Sequence, residues 1–322
     1  MRQKNFARYA WGVLAYNIFV ILFGAFVRAT GSGAGCGSHW PLCNGVVIPQ
    51  TAQIGTMIEF THRLTSGLAL FFVIILFVWA FRAYPKGHRV RFGASLSLLF
   101  IITEALVGAG LVLFQWVAQD DSVGRAVAIV IHLLNTFLLL AVLTLTAHWA
   151  SGGHSIQVRG AGINLGILLV ALLGTLVMGA SGALAALGDT LFPVRTLLEG
   201  VQQDFSATAH YLIRLRILHP SIAVIVGFYL VAATGLIALQ TTNRGIKYWS
   251  RWLTVLVLIQ LAAGLLNVLL LAPVAIQIVH LFLADLVWIS LILFSAETLA
   301  KIESPDAKPA IGTAAGPLVN GV

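Results

Sequence analysis

The chain has 322 residues, of which 59% are hydrophobic and only 9% charged. A soluble globular protein carries about 25% charged residues, so this composition excludes a surface wholly in water. The net charge of +8 does not make a nucleic-acid binder, because the Lys and Arg residues lie in short segments between apolar runs and form no patch.

Apolar runs of about 20 residues, the length that crosses about 30 Å of hydrocarbon, recur along the chain. In chain order they predict spans over 11–28, 57–81, 93–117, 124–148, 162–186, 213–239, 250–272 and 274–298. The first follows Arg2, Lys4 and Arg8. Its length, and the lack of an A-x-A site at its end, make it an uncleaved helix and not a signal peptide. After the last span, residues 301–322 are rich in small residues, Gly and Pro without apolar periodicity, and a disordered tail is expected. The expected class is an all-α membrane protein with eight transmembrane helices.

Basic residues orient the chain. Arg2, Lys4, Arg8, Arg82, Lys86, Arg89, Arg91, Arg159, Arg244, Lys247, Arg251, Lys301 and Lys308 fall on one side, 13 of the 19 Lys and Arg residues. That side is expected to be cytoplasmic, with both termini there. The Gly-rich segment from Thr30 to Cys43 is then outside. It holds both cysteines of the chain, Cys36 and Cys43, close enough for a disulfide that persists in an oxidising compartment. A structural clip and a reducible redox bridge both remain open.

An internal repeat is visible. The stretch Gly24-Ala25-Phe26-Val27 resembles Gly174-Thr175-Leu176-Val177, and Leu106-Val107-Gly108-Ala109 resembles Leu261-Ala262-Ala263-Gly264. Each half holds an even number of spans, so the halves share one orientation, unlike inverted transporter repeats. Two pseudo-symmetric four-helix bundles are expected, a half over 1–150 and a half over 151–300.

Of nine histidines, His62, His132, His219 and His280 stand out. Each lies on an even-numbered span, a similar distance in from its outer end. Ionisable groups in a bilayer are costly and usually functional. Two imidazoles facing each other across a four-helix bundle can ligate one haem iron axially. A zinc site needs about four ligands, which neither half offers. His39, His88, His148, His154 and His210 lie in loops or at span ends and carry no such pattern.

Glu59 stands three residues before His62, on the same helical face. Its counterpart before His219 is Arg216, so the halves differ in role. An interfacial Glu59 paired with Arg63 is the structural alternative. Glu104, within the third span, is unassigned. Pro220 follows His219 and either kinks the helix or tunes the angle of that histidine.

The stretch Gly31-Ser32-Gly33-Ala34-Gly35-Cys36 with Trp40-Pro41-Leu42-Cys43, then Glu59-Phe60-Thr61-His62-Arg63, then His132, His219 and His280, resembles the haem A synthase family over about residues 11–298. The resemblance implies eight helices in two halves and oxidation of the C8 methyl of haem O to a formyl group, making haem A. It implies that His62 and His132 flank the substrate haem O, that Glu59 is the catalytic carboxylate, and that His219 and His280 ligate a haem b cofactor. Cys36 and Cys43 match the family's outer cysteine pair. Haem O synthase and a membrane electron donor are the implied partners, in the cell membrane, and a homo-oligomer is compatible with it. The segment from Asp189 to Asp204 lacks the second cysteine pair of some members. Pro220 replaces an arginine common after the third histidine, leaving Arg214 or Arg216 to hold the cofactor propionates.

Two other classes compete. A b-type dihaem electron-transfer protein keeps all four histidines but gives no reason for a one-sided Glu59. A transporter predicts broken helices and midplane charges, for which Glu104 and Asp285 are the candidates.

Overall fold

The computed structural model describes residues 2–50 and 53–300. The expected tail over 301–322 lies outside them. Among the described residues the chain is helical apart from turns and two isolated β-bridges. Helices α1 (Arg2–Ala29), α2 (Ile54–Ala83), α3 (Arg89–Leu113), α4 (Val123–Ala150) and α5 (Gly162–Leu191) come first. Short helices α6 (Leu197–Asp204) and α7 (Tyr211–Arg216) follow, then α8 (Leu218–Leu239), α9 (Arg244–Leu269) and α10 (Val274–Thr298).

With α7 and α8 taken as one, eight of these are long and apolar enough to cross a membrane, with mean hydropathy from 2.0 to 2.5. At a rise of 1.5 Å per residue, even the 25-residue helices reach beyond about 30 Å of hydrocarbon. Large apolar side chains such as Phe228, Ile163 and Leu239 point outward, as a lipid-facing surface requires.

Local capping explains where the helices start. The His88 ring accepts from the Val90 amide at 3.2 Å, so α3 begins at Arg89, ahead of the expected 93. The Asn243 side chain accepts from Gly245 at 2.8 Å and starts α9 at Arg244, ahead of 250. Arg89, Arg91, Arg244, Lys247 and Arg251 are therefore helical residues of first and second turns, not loop residues. Ser122 caps α4 through the Arg125 amide at 3.2 Å.

The sixth span is broken at Ile217, between α7 and α8. Proline lacks an amide hydrogen and its ring collides with the carbonyl four residues back. For Pro220 that carbonyl belongs to Arg216. Ending α7 at Arg216 removes the conflict and leaves Pro220 in the first turn of α8, where no amide donor is missed.

Neighbouring helices close two circuits. In one, α1 meets α2, α2 meets α3, α3 meets α4 and α4 returns to α1. In the other, α5 meets α8, α8 meets α9, α9 meets α10 and α10 returns to α5. The circuits are joined where α4 packs on α5 and α10, and α1 on α10. The largest core lies along this seam. Trp288 of α10 donates its indole N–H to the Phe137 carbonyl of α4 at 2.7 Å and stacks on the Phe137 ring at 5.2 Å.

Arg28, at the end of α1, also crosses the seam. It donates to the Ala186 carbonyl and Thr190 hydroxyl of α5, each at 2.6 Å, and to the Gln277 side chain of α10 at 3.0 Å.

Candidate functional site

The four histidines come from α2, α4, α8 and α10. In each circuit these are the two helices that do not adjoin, so the imidazoles approach across the diagonal. The His219 and His280 rings have centroids 6.4 Å apart, at 85° to each other. A ring nitrogen sits about 2 Å from a bound metal, which puts two imidazoles on one iron at a centroid separation of about 6 Å. His62 and His132 lie within Coulombic reach of each other.

Every one of these rings faces a glycine of the preceding membrane span. A Cβ built on Gly24 would lie 3.1 Å from the His62 ring, one on Gly182 2.9 Å from His219, and one on Gly264 3.0 Å from His280. For Gly108 and His132 the distance is an ordinary 3.8 Å. The glycines are notches that admit an imidazole between two helices. They also correct the register of the internal repeat: Gly24 corresponds to Gly182 and not Gly174, and Gly108 to Gly264 and not Ala263.

Ring nitrogens are differently served. His219 Nδ1 lies 3.0 Å from the Ser181 hydroxyl. His132 Nδ1 lies 3.3 Å from the Glu104 carboxylate, in ionic range though not aligned as a full hydrogen bond. The Gln260 amide nitrogen is 3.4 Å from His280 Nε2. His62 Nδ1 and His280 Nδ1 are buried without a partner, a costly state for a polar atom unless something else occupies the site.

Among the described residues no three His, Cys, Asp or Glu side chains converge. A ligand set of two imidazoles suits a macrocycle that brings its own equatorial nitrogens, and the glycine notches and orphaned nitrogens fit such a group.

Glu59 is buried, one turn before His62. One carboxylate oxygen accepts from the Cys36 amide at 2.8 Å. The other pairs with Arg63, whose Nε is 3.1 Å away. Arg63 reaches onward to the His39 and Leu42 carbonyls, each at 2.6 Å. A disulfide joins Cys36 to Cys43. The loop is thereby fastened to the outer end of α2 by one carboxylate, one guanidinium and the Thr56 hydroxyl, which donates to the Gly35 carbonyl at 2.7 Å. Gly35 permits this contact, since a Cβ there would meet the Gly55 backbone at 2.5 Å.

The corresponding corner of the second circuit is built with the charges reversed. Arg216 pairs with Asp189 at 3.1 Å and also with Asp204, and donates to Gln203 at 3.1 Å. It is committed to these partners and is not a spare cation for propionates. Arg214 donates to the Ala207 carbonyl at 2.5 Å from an exposed position. Arg125, two turns before His132, is buried with its Nε unpartnered. Nothing in the sequence singles out Arg125, whose buried setting is visible only once α4 is packed.

Asp285 is fully buried with neither carboxylate oxygen partnered. Glu104 accepts from Asn135 at 2.6 Å and from Thr136. Neither residue lines a broken helix of the transporter kind.

Comparison with known proteins gives these features a family. Residues 7–292 match the COX15-CtaA family, described as a cytochrome oxidase assembly protein. The chain is 53% identical over 298 residues to a protein of Thermus thermophilus named protoheme IX farnesyltransferase, covering 92% of this chain and 49% of that protein. It thus spans about half the length of that relative. It is 30% identical over 288 residues to a heme A synthase of Geobacillus kaustophilus, covering 87% of each, and 28% identical over 296 residues to a heme A synthase of Staphylococcus haemolyticus, covering 90% of this chain and 94% of that one. On the extent of these matches, the chain belongs to the COX15-CtaA family of cytochrome oxidase assembly proteins.

Proposed function

We propose that this protein is a haem A synthase, a membrane oxidoreductase that converts the C8 methyl of haem O to a formyl group. The observation that carries the reading is the diagonal pairing of four notched histidines, with one pair at a separation suited to a single iron. Relatives named heme A synthase match along nearly their whole length. The Thermus relative bears a farnesyltransferase name, but half of that protein is unmatched. In our reading the farnesyl-transfer name belongs to the unmatched half, which would make a haem O synthase the natural partner of this chain.

His62 and His132 would hold the substrate haem, and His219 and His280 a haem b. When bound, the haem b supplies one-electron transfer. Residues 1–150 and 151–300 then act as a substrate half and a cofactor half. Oxidation of a methyl to a formyl is a four-electron change, so the substrate half needs a group that handles charge. Glu59 is that group in this reading. With donors on both oxygens, it is arranged to stabilise positive charge near the substrate. Arg63 keeps Glu59 in place and holds the disulfide loop across the outer end of the site, limiting water entry. In this reading both chain ends face the cytoplasm and the disulfide loop lies outside the cell membrane, an arrangement that the distribution of basic residues supports.

The test is haem extraction from cells that make haem O, with and without this protein. Appearance of haem A only with the protein supports the reading. Bound haem without any haem A would instead favour a b-type dihaem electron carrier.

A further inference from the structure

The two histidine pairs have unequal supports. On α3, Glu104 stands one turn before the notch Gly108 and lies 3.3 Å from His132 Nδ1. On α9, Gln260 stands one turn before the notch Gly264 and lies 3.4 Å from the His280 ring. The sequence positions correspond, but Glu104 brings a charge to Nδ1 of one imidazole and Gln260 a neutral amide to Nε2 of the other.

The carboxyl of Glu104 is itself fixed. Asn135 donates to it at 2.6 Å and Thr136 donates as well. The Asn135 amide also donates to the Phe100 carbonyl at 2.9 Å, and its oxygen accepts from Thr103 at 2.6 Å. Gln260 has no such cradle, and its side-chain oxygen is buried without a partner. An engaged, oriented carboxylate is what a tuned ligand requires. A carboxylate in ionic range of the remote nitrogen of an imidazole favours the tautomer that leaves the other nitrogen for metal, and raises ligand basicity. A more basic ligand, with a negative charge close by, favours the more oxidised metal.

We propose that Glu104 is a positioning residue that acts through His132 to hold the iron site of His62 and His132 at a lower midpoint potential than that of His219 and His280. This rests on the reading of both pairs as haem sites. The neutral Gln260 leaves the second site at the higher potential of the two.

The test uses protein purified from cells that make haem B and haem O, with redox titration followed optically and low-spin resonance spectra as a second readout. Each transition is assigned by its loss in His132→Ala or His280→Ala. Glu104→Gln should move the His132 transition upward at unchanged haem content, and Gln260→Glu should move the His280 transition downward. Unmoved potentials in fully loaded variants overturn the proposal. If Glu104→Gln does not accumulate, Gln260→Glu decides alone, and an unmoved or raised second potential overturns it. Wild-type protein without haem removes the underlying reading instead, a result distinct from either.

Discussion

Adding one methyl group at Gly182 should loosen the proposed cofactor half without replacing a ligand. In Gly182→Ala the new Cβ would stand 2.9 Å from the His219 ring. Ordinary carbon contacts begin about 3.5 Å apart, so ring or helix must move by roughly half an ångström. His219 is further constrained by the Ser181 hydroxyl of the same helix α5 and by the fresh start of α8 at Leu218. Overpacking of this kind costs about 1–3 kcal/mol. If that cost falls on the bound geometry, haem affinity at this site drops about five-fold to about 150-fold. The assay is haem retention during purification and titration, read against Gly166→Ala on the same helix, where a Cβ meets nothing within 4 Å. Gly264→Ala should behave like Gly182→Ala. Gly108→Ala, with 3.8 Å to spare, should be near neutral. Full haem retention in both Gly182→Ala and Gly264→Ala, indistinguishable from Gly166→Ala, would refute the notch argument.

Three other outcomes follow from the same contacts. Glu59→Gln should leave haem binding intact while lowering haem A output at least about 100-fold, the low end for loss of a catalytic proton-handling group; normal output removes Glu59 from the mechanism. Arg63→Ala should release the His39 and Leu42 carbonyls as well as Glu59, so that Cys36–Cys43 is reduced and alkylated faster than in the parent protein; an unchanged rate would mean that the loop is held by other contacts. Arg216→Met leaves Asp189 and Asp204 without their common partner; the pairs are partly buried, so the cost lies between about 1 kcal/mol for an exposed pair and about 3–5 kcal/mol for a buried one, visible as a lower Tm in detergent; an unchanged Tm would show the cluster to be screened by solvent.

The spans are legible because a bilayer demands long apolar runs, and the few ionisable residues within them stand out for the same reason. His62, His132, His219 and His280 can be picked from their matched positions alone. Helix ends are less legible. The starts of α3 and α9 depend on side-chain caps from His88 and Asn243, which hydropathy does not register. Pro220 signals a disturbance, but only the backbone locates the break at Ile217, just after the carbonyl that the proline ring would strike. The glycine notches are invisible in one dimension, since each needs a neighbour from another helix, and this is why sequence alone aligns the repeat on Gly174. Glu104 has no role in sequence for the same reason: its partners Asn135, Thr136 and His132 lie on α4. A signal is nonetheless present, because the spacing of Glu104 to Gly108 recurs in Gln260 to Gly264. Arg28 and Arg125 read as outer-face cations until packing half-buries the first and buries the second.

The most direct measurement is the haem content and low-spin spectrum of the purified protein beside its His280→Ala variant. The account predicts a b-type signal with two imidazole ligands in the parent, and loss of that signal in the variant while the protein still accumulates in the membrane. A parent protein free of haem, or a variant whose spectrum matches the parent's, would contradict the pairing of His219 with His280 on one iron.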